Sequence, residues 1–213
     1  MGIGTAIRHR LGRFEEPAAE LYRSFFIDLE ALVKQLSHVG TPKRILEVGC
    51  GDGALGQRLI QTFDHADYLG IDPAPTAGRL FRGDTGRAEF RTMTCSDLRA
   101  EAPDPFDLIV IADVLHHVPV DMRSDLLNGA AALTAPGGRI VVKEWLWGRL
   151  IAGRLGYWAD RYITGDKDVD FMTDAQLRKT LADALPEFTV CETGWVRPWK
   201  ENILLTLRRK TDD

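Results

Sequence analysis

The sequence has little of what marks several large classes of protein. It contains three cysteines (Cys50, Cys95 and Cys191), too few and too widely spaced for a disulfide framework or a zinc site. No apolar run approaches the ~20 residues needed to cross a bilayer. Residues 1–13 include basic residues but contain no continuous apolar run of the kind that forms the core of a signal peptide. We therefore expect a cytoplasmic protein without a membrane span.

The sequence also lacks an excess of positive charge. Its 27 Lys and Arg residues are outnumbered by 31 Asp and Glu residues, which gives a formal net charge of −4. This balance gives no support to a nucleic-acid partner and weakens the case for contact with an anionic membrane. No residues show metal-ligand spacing, so we expect no metal. At 213 residues and 45% hydrophobic composition, the chain is predicted to form one globular domain.

The most informative stretch runs from 44 to 56 and reads RILEVGCGDGALG. A strand pattern ends in alternating glycines and a helical pattern follows, so the stretch predicts a strand, a tight turn and a helix N-terminus. Two motifs fit it. Gly51-x-Gly53-x-x-Gly56, followed by Asp72, fits a dinucleotide fingerprint. The alternating glycines preceded by Glu47 fit a different ligand, because a carboxylate there suits an ammonium group and not a pyrophosphate.

The rest of the chain alternates strand and helix patterns. Buried strands are predicted at 67–72 and 105–113, a weaker strand at 88–93, a further strand at 139–144, and a C-terminal hairpin at 188–195 and 202–208. Helices are predicted at 17–36, 54–63, 121–133 (capped by Asp121) and 174–185 (capped by Thr173). The near-continuous apolar run at 105–113 indicates the centre of a parallel sheet. We expect an α/β fold: a Rossmann-like, mostly parallel seven-stranded sheet with an antiparallel C-terminal hairpin and helices on both faces.

This order of motifs resembles the class I S-adenosylmethionine-dependent methyltransferases of the small-molecule type. The resemblance rests on Glu47 with the glycine loop, on Asp72 and Asp97 after their strands, on the 113–118 sequence DVLHHV and on a Pro-Gly-Gly turn at 136–138. It implies S-adenosylmethionine as cofactor. The implied cofactor-binding residues are Glu47, Gly49, Gly51, Gly53, Asp72, Pro73, Ser96, Asp97, Ala112 and Asp113.

Two of these acids have specific implied roles. Asp72 is expected to accept hydrogen bonds from the ribose hydroxyls. Asp97 is expected to accept from the adenine amino group, although Ser and Asp at that place also favour a simple helix cap. A nicotinamide-type cofactor is the weaker alternative, since the chain does not continue into a second, substrate-binding domain.

His116 and His117 are the candidate catalytic residues. Methyl transfer needs alignment of the acceptor with an activated donor, and a base helps when the acceptor must lose a proton. Imidazole titrates near neutrality, so either histidine can serve. One of the two can equally be a structural hydrogen-bonding group, in which case the site works by proximity alone.

The acceptor is predicted to be a small, largely apolar or lipid-like molecule that is methylated on oxygen or carbon. A lid-like insertion at 145–172 carries three of the five tryptophans and is expected to cover it. The alternatives are that this segment covers the sheet or lies on a membrane. An N-terminal helical segment at 14–40, with Phe14, Tyr22 and Phe26, either packs on the sheet or also closes over a ligand. The competing function is a non-catalytic methyltransferase-fold subunit that binds the cofactor and serves an active partner.

Overall fold

The computed structural model describes residues 20, 23–147 and 169–210. These residues form a seven-stranded sheet in the order β3-β2-β1-β4-β5-β7-β6. Strands β1 to β5 pair in parallel, whereas β7 is antiparallel to both β5 and β6. The strands are β1 Arg44–Val48, β2 Asp67–Asp72, β3 Ala88–Thr92, β4 Phe106–Ala112, β5 Thr134–Trp145, β6 Phe188–Trp195 and β7 Asn202–Arg209. The predicted fold class is confirmed.

The helices lie on both faces of the sheet, over separate apolar clusters. They are α1 Leu29–Leu36, α2 Ala54–Thr62, α3 Cys95–Ala100, α4 Val120–Leu133 and α5 Asp174–Ala184, and a short 3₁₀ turn spans Leu115–His117. Helices α3, α4 and α5 contribute Leu98, Leu127 and Leu177 to one cluster. Helices α1 and α2 contribute Leu32 and Leu59 to the other. Strand β4 is buried on both faces between these clusters, as its apolar run predicts.

The N-terminal helix differs from its prediction. Residues 23–26 are helical, but 27–28 are not, and α1 begins only at Leu29. The break arises because the Asp28 side chain accepts a hydrogen bond from the Ala31 backbone N–H, which caps a new helix. Phe14 and Tyr22, expected near a ligand, lie outside the described residues.

The caps of α4 and α5 give opposite outcomes. Thr173 caps α5 as predicted, in a reciprocal capping box with Gln176. The predicted cap Asp121 is wrong: the cap position of α4 is Pro119, whose side chain makes no capping bond. Asp121 lies in the first turn of α4, where its charge suits the positive end of the helix dipole.

Strand β5 is longer than predicted and contains the Pro-Gly-Gly sequence. Thr134 pairs with Phe106, and the next pair is Arg139 with Leu108, so residues 135–138 bulge out of the ladder. The bulge lies at the amino end of the strand. Of the 145–172 segment, residues 148–168 lie outside the described residues, so its lid-like role stays a prediction. Among the described helices, none has the length and apolarity to cross a bilayer.

Candidate functional site

The glycine loop after β1 contains three left-handed residues: Gly49, Gly51 and Gly53, the last of which has φ +89° and is the cap position of α2. Gly49 has φ +73°, and a Cβ there would stand 2.4 Å from the Val114 Cγ2 atom. Gly51 has φ +52°, and a Cβ there would meet no protein atom within 4 Å. Only glycine adopts these conformations readily. The loop thus packs tightly against the turn after β4 and leaves an open cradle at Gly51, which fits the close approach of a cofactor.

Asp72 fastens this loop to the end of β2. Its Oδ2 accepts from the Gly51 backbone N–H at 2.9 Å, and its Oδ1 accepts from the Ala74 N–H at 2.8 Å. Each carboxylate oxygen has a second lone pair, so a ribose diol can still bind. Pro73 is the residue between Asp72 and Ala74, so the bond from the Ala74 N–H to Asp72 closes a turn around it. The contact of Asp72 with ribose stays a prediction.

Glu47 is buried beneath the loop. The Tyr68 hydroxyl donates to its Oε2 at 2.6 Å. Burial raises the pKa of Glu47 to about 8, and the bond from Tyr68 only partly opposes this. Tyr68 belongs to no motif. The sequence contains one indication of this contact. Side chains alternate between the two faces along each strand, and this alternation places Glu47 of β1 and Tyr68 of β2 on the same face of the sheet.

Cys50, between the loop glycines, is also buried. Burial raises the pKa of its thiol well above the usual value, and the nearby Glu47 adds to this. The thiol therefore stays protonated at physiological pH.

Asp97 forms a capping box at the start of α3. Its Oδ2 accepts from the Thr94 backbone N–H at 2.9 Å and from the Thr94 hydroxyl at 2.7 Å. These bonds lower the pKa of Asp97. Asp97 thus has the capping role named as its alternative, while contacts of Asp97 and Ser96 with adenine stay predictions.

Asp113 ends β4 in a left-handed conformation with φ +55°, just after Ala112. Such a conformation costs a residue other than glycine about 1–3 kcal/mol. The Lys143 ammonium offsets this by donating to both carboxylate oxygens, at 2.7 and 2.5 Å, although it is itself buried. Lys143 was not predicted from sequence, and it reduces the attraction that Asp113 offers to a cationic sulfur.

Glu144, at the end of β5, organises the turn that carries the histidines. Its Oε1 accepts from the backbone N–H groups of Val114 at 3.0 Å and Leu115 at 2.7 Å. Its Oε2 lies 2.6 Å from the Nδ1 atom of His116. The side chains of Glu144 and His116 are 2% and 3% exposed. The sequence signal for Glu144 is its place as the last acid on a strand adjacent to β4.

The two histidines have different environments. His117 is exposed, whereas His116 is enclosed. The Phe171 ring stacks on His116 at 4.7 Å, with 21° between the planes, and the Asp170 N–H donates to the His116 carbonyl at 2.9 Å. The buried Arg123 guanidinium holds Asp170 in place. Asp170 and Phe171 therefore hold this part of the chain against the 3₁₀ turn Leu115–His117, which we call the histidine turn.

Within the described residues, Asp113, His116 and Glu144 bring possible metal-ligating atoms within 4.8 Å of one another. This grouping was not foreseen from sequence spacing. Each group already has internal partners, since Lys143 binds Asp113 and Glu144 binds both His116 and backbone N–H groups. A cation would have to displace those bonds.

The fold and the site together define a class of protein. Parallel α/β sheets bind ligands beyond the carboxyl ends of their strands, and the glycine loop, Asp72 and the histidine turn meet there. A family model described as "Methyltransferase domain" matches residues 46–140. Residues 46–140 thus match a methyltransferase domain, the fold is that of the class I S-adenosylmethionine-dependent methyltransferases, and S-adenosylmethionine is the cofactor that this match supports.

Particular relatives agree with this class. The chain is 28% identical over 190 residues to a protein of Xylella fastidiosa (strain M23) named "Ubiquinone biosynthesis O-methyltransferase", with 85% of this chain and 75% of that protein covered. The protein of the same name from Xanthomonas euvesicatoria pv. vesicatoria (strain 85-10) is 30% identical over 140 residues, covering 64% of this chain and 56% of its own length.

Solved structures share the fold. An O-methyltransferase family protein from Burkholderia thailandensis superposes with a TM-score of 0.66 at 16% identity, covering 99% of this chain and 60% of its own. The magnesium protoporphyrin IX methyltransferase of Synechocystis PCC 6803, solved with bound SAM, superposes with a TM-score of 0.56 at 20% identity. That comparison covers 85% of this chain and 76% of the other.

Proposed function

We propose that this methyltransferase acts in the cytoplasm, as one domain, on a hydroxyl oxygen of a small, largely apolar acceptor, with His116 as the general base. The observation that carries the proposal is the buried pair of His116 Nδ1 and Glu144 Oε2, 2.6 Å apart at the carboxyl end of the sheet. When bound, S-adenosylmethionine supplies an electrophilic methyl group whose carbon–sulfur bond breaks as the acceptor oxygen attacks.

Glu144 determines which nitrogen of His116 can act as the base. Because Glu144 Oε1 already accepts two backbone N–H bonds, the side chain acts as a carboxylate acceptor and binds a proton on Nδ1. The lone pair then lies on Nε2, which takes the proton of the acceptor hydroxyl. The carboxylate stabilises the imidazolium that forms, as in other histidine–carboxylate pairs.

Methylation on oxygen, of the two atoms expected from sequence, is supported by the names of the relatives, which are O-methyltransferases. The same names favour an active enzyme over a non-catalytic partner subunit. Phe171, near the end of the 145–172 segment, stacks directly on the proposed base His116. This supports a lid role for the 145–172 segment, which ends directly after Phe171.

The apolar character of the acceptor is supported by the surface around the histidine turn. Val120 and Met122, just after that turn, are 67% and 54% exposed, and Trp147 at the start of the 145–172 segment is 48% exposed. Exposed large apolar side chains that adjoin a site in the chain are consistent with an apolar ligand. A lipid-like acceptor is an apolar acceptor with a longer hydrocarbon chain, so it fits the same proposal.

The test is turnover with a cofactor that carries a deuterated methyl group. The protein is incubated with this cofactor and an extract, and products are identified by mass spectrometry. We expect a product heavier by one labelled methyl group, with the label on oxygen. Absence of any labelled product, under conditions where the cofactor binds, would favour the non-catalytic subunit, and a label on carbon would refute the O-methylation.

A further inference from the structure

Within the described part of the chain, three buried polar atoms at the end of the sheet have no hydrogen-bond partner: Trp145 Nε1, Glu201 Oε2 and Asn202 Oδ1. Their residues are 5%, 6% and 0% exposed. Trp145 and Asn202 are opposite each other in the β5–β7 ladder, and Glu201 directly precedes Asn202. Leaving a buried polar group without a partner is energetically unfavourable. We call these three residues the polar trio.

The polar trio lies at the functional edge of the sheet. Trp145 directly follows Glu144, and the carboxyl end of β5 faces the same edge as the glycine loop, because β1, β4 and β5 are parallel. Side chains alternate along a strand, and Val141 and Val142 of β5 belong to the two different apolar clusters. Trp145 therefore points to the face of α1 and α2, whereas Glu144 and its partner His116 lie on the other face.

Residues 23–28 form a strap that covers the polar trio and links it to the glycine loop. At one end, the Phe26 ring packs edge-on against Trp145 at 5.7 Å, and the Phe26 carbonyl accepts from Asn202 Nδ2 at 2.7 Å. At the other end, the Arg23 guanidinium donates to Asp52 of the glycine loop at 2.6 Å. The unpartnered atoms thus lie under an element that also contacts the cofactor side of the site.

The chemistry of the polar trio selects the group it can bind. The indole N–H of Trp145 only donates, and the amide oxygen of Asn202 only accepts. A hydroxyl is the smallest neutral organic group with an oxygen that both accepts from the indole N–H and donates to the amide oxygen. We propose that the polar trio is a second subsite of the acceptor pocket and binds a hydroxyl of the acceptor other than the one that is methylated.

This inference rests on the proposed function and adds a geometric condition. Because Glu144 and Trp145 point to opposite faces of β5, an acceptor that reaches both His116 and the polar trio must extend across the end of the strand. Its two hydroxyls must therefore be well separated. Hydroxyls on adjacent carbons cannot reach both places.

The test uses three probes on one scaffold: naphthol, a dihydroxynaphthalene with adjacent hydroxyls, and one with hydroxyls at opposite ends. Binding to the full chain is measured by calorimetry in the presence of S-adenosylhomocysteine. We expect the probe with opposite hydroxyls to bind about tenfold more tightly than the other two, the effect of a hydrogen bond of about 1.4 kcal/mol. Trp145→Phe should remove this advantage and leave naphthol binding unchanged.

Trp195→Phe is the matched control, because Trp195 is 51% exposed and lies outside the polar trio. It should keep the tenfold difference. Equal or undetectable binding of all three probes overturns the inference. So does a Trp145→Phe variant that keeps the difference and only melts at a lower temperature, since the atoms would then serve structure or hold water. Methylation of the probes is scored separately, so failure of the proposed function stays distinguishable from failure of the subsite.

Discussion

The Nδ1 atom of His116 lies 2.6 Å from Glu144 Oε2, and the same carboxylate binds the backbone N–H groups of Val114 and Leu115. One buried acid therefore fixes both the ring and the turn that carries it. His117, next in sequence, has no bond of this kind to Glu144 among the described contacts and is exposed. The structure thus distinguishes two neighbouring histidines that the sequence leaves equivalent.

Replacing His116 should affect catalysis far more than replacing His117. We expect His116→Ala to lower kcat by about 10²–10⁴-fold, the usual contribution of a general base. His117→Ala, the matched control, should change kcat by less than about threefold if base catalysis resides in His116 alone. The measurement is the initial rate of methyl transfer between about pH 5 and 9, which includes the range of about pH 5 to 8 in which imidazole ordinarily loses its proton. Full turnover of both variants across this range would exclude a base role.

Replacing Glu47 should change how stability depends on pH. The pKa of Glu47 is raised to about 8, so the folded protein keeps a proton that the unfolded chain, with a value of 4.5, releases. The free energy of unfolding should therefore fall as the pH rises between these two values. Glu47→Gln should make this dependence weaker, because the amide does not titrate and its oxygen still accepts from Tyr68.

Chemical denaturation at a series of pH values measures this effect. The control is Glu192→Gln, which removes an exposed carboxylate of β6 and should leave the pH dependence as it is. An identical pH dependence in wild type and Glu47→Gln would show that Glu47 is ionised in the folded protein throughout the range.

Replacing Gly51 should weaken cofactor binding and lower stability, whereas replacing Gly137 should lower stability only. Both have positive φ, +52° and +79°, and a Cβ at either meets no protein atom within 4 Å. Alanine at either place should lower the free energy of unfolding by about 1–2 kcal/mol, the cost of the left-handed conformation. Gly51→Ala should also weaken the binding of S-adenosylhomocysteine, measured by calorimetry, because its methyl group enters the cradle. Equal cofactor affinity in the two variants would place the ligand elsewhere.

Replacing Asp72 should weaken cofactor binding by about 1–3 kcal/mol, the scale for hydrogen bonds to a charged group. Asp72→Ala also releases the Gly51 N–H, so part of the loss comes from the loop. Asp67→Ala, at the opposite end of the same strand, is the control and should bind normally. Calorimetry with S-adenosylhomocysteine gives both values, and equal affinity in the two variants would remove Asp72 from the ribose contact.

The sequence predicts the sheet well because strand burial is a local property. The apolar run at 105–113 and the strand-forming residues at 202–208 can be recognised without knowing their neighbours, and both strands appear at nearly those bounds. The first predicted helix ends at Leu36 as expected, but it is interrupted at 27–28 because the Asp28 side chain accepts from the Ala31 backbone N–H, a contact that hydrophobic spacing does not reveal.

The candidate site is predictable where a motif has fixed spacing, as at Gly49, Gly51 and Asp72. The partners of the motif residues are not predictable in this way. Tyr68, Lys143 and Glu144 become partners only through strand pairing. Their type carries no signal, since a lone tyrosine, lysine or glutamate on a strand is common for many other reasons.

The burial of the Cys50 thiol affects how readily the protein can be alkylated. S-adenosylmethionine is an alkylating agent, and a thiolate is among the strongest nucleophiles that a protein can offer it. The loop that forms the cofactor cradle contains a sulfur atom, yet burial raises the pKa of that thiol, so the reactive anion is scarce. The same burial should protect Cys50 from iodoacetamide while exposed Cys191 reacts. We therefore expect Cys50 to escape methylation when S-adenosylmethionine occupies the predicted cradle.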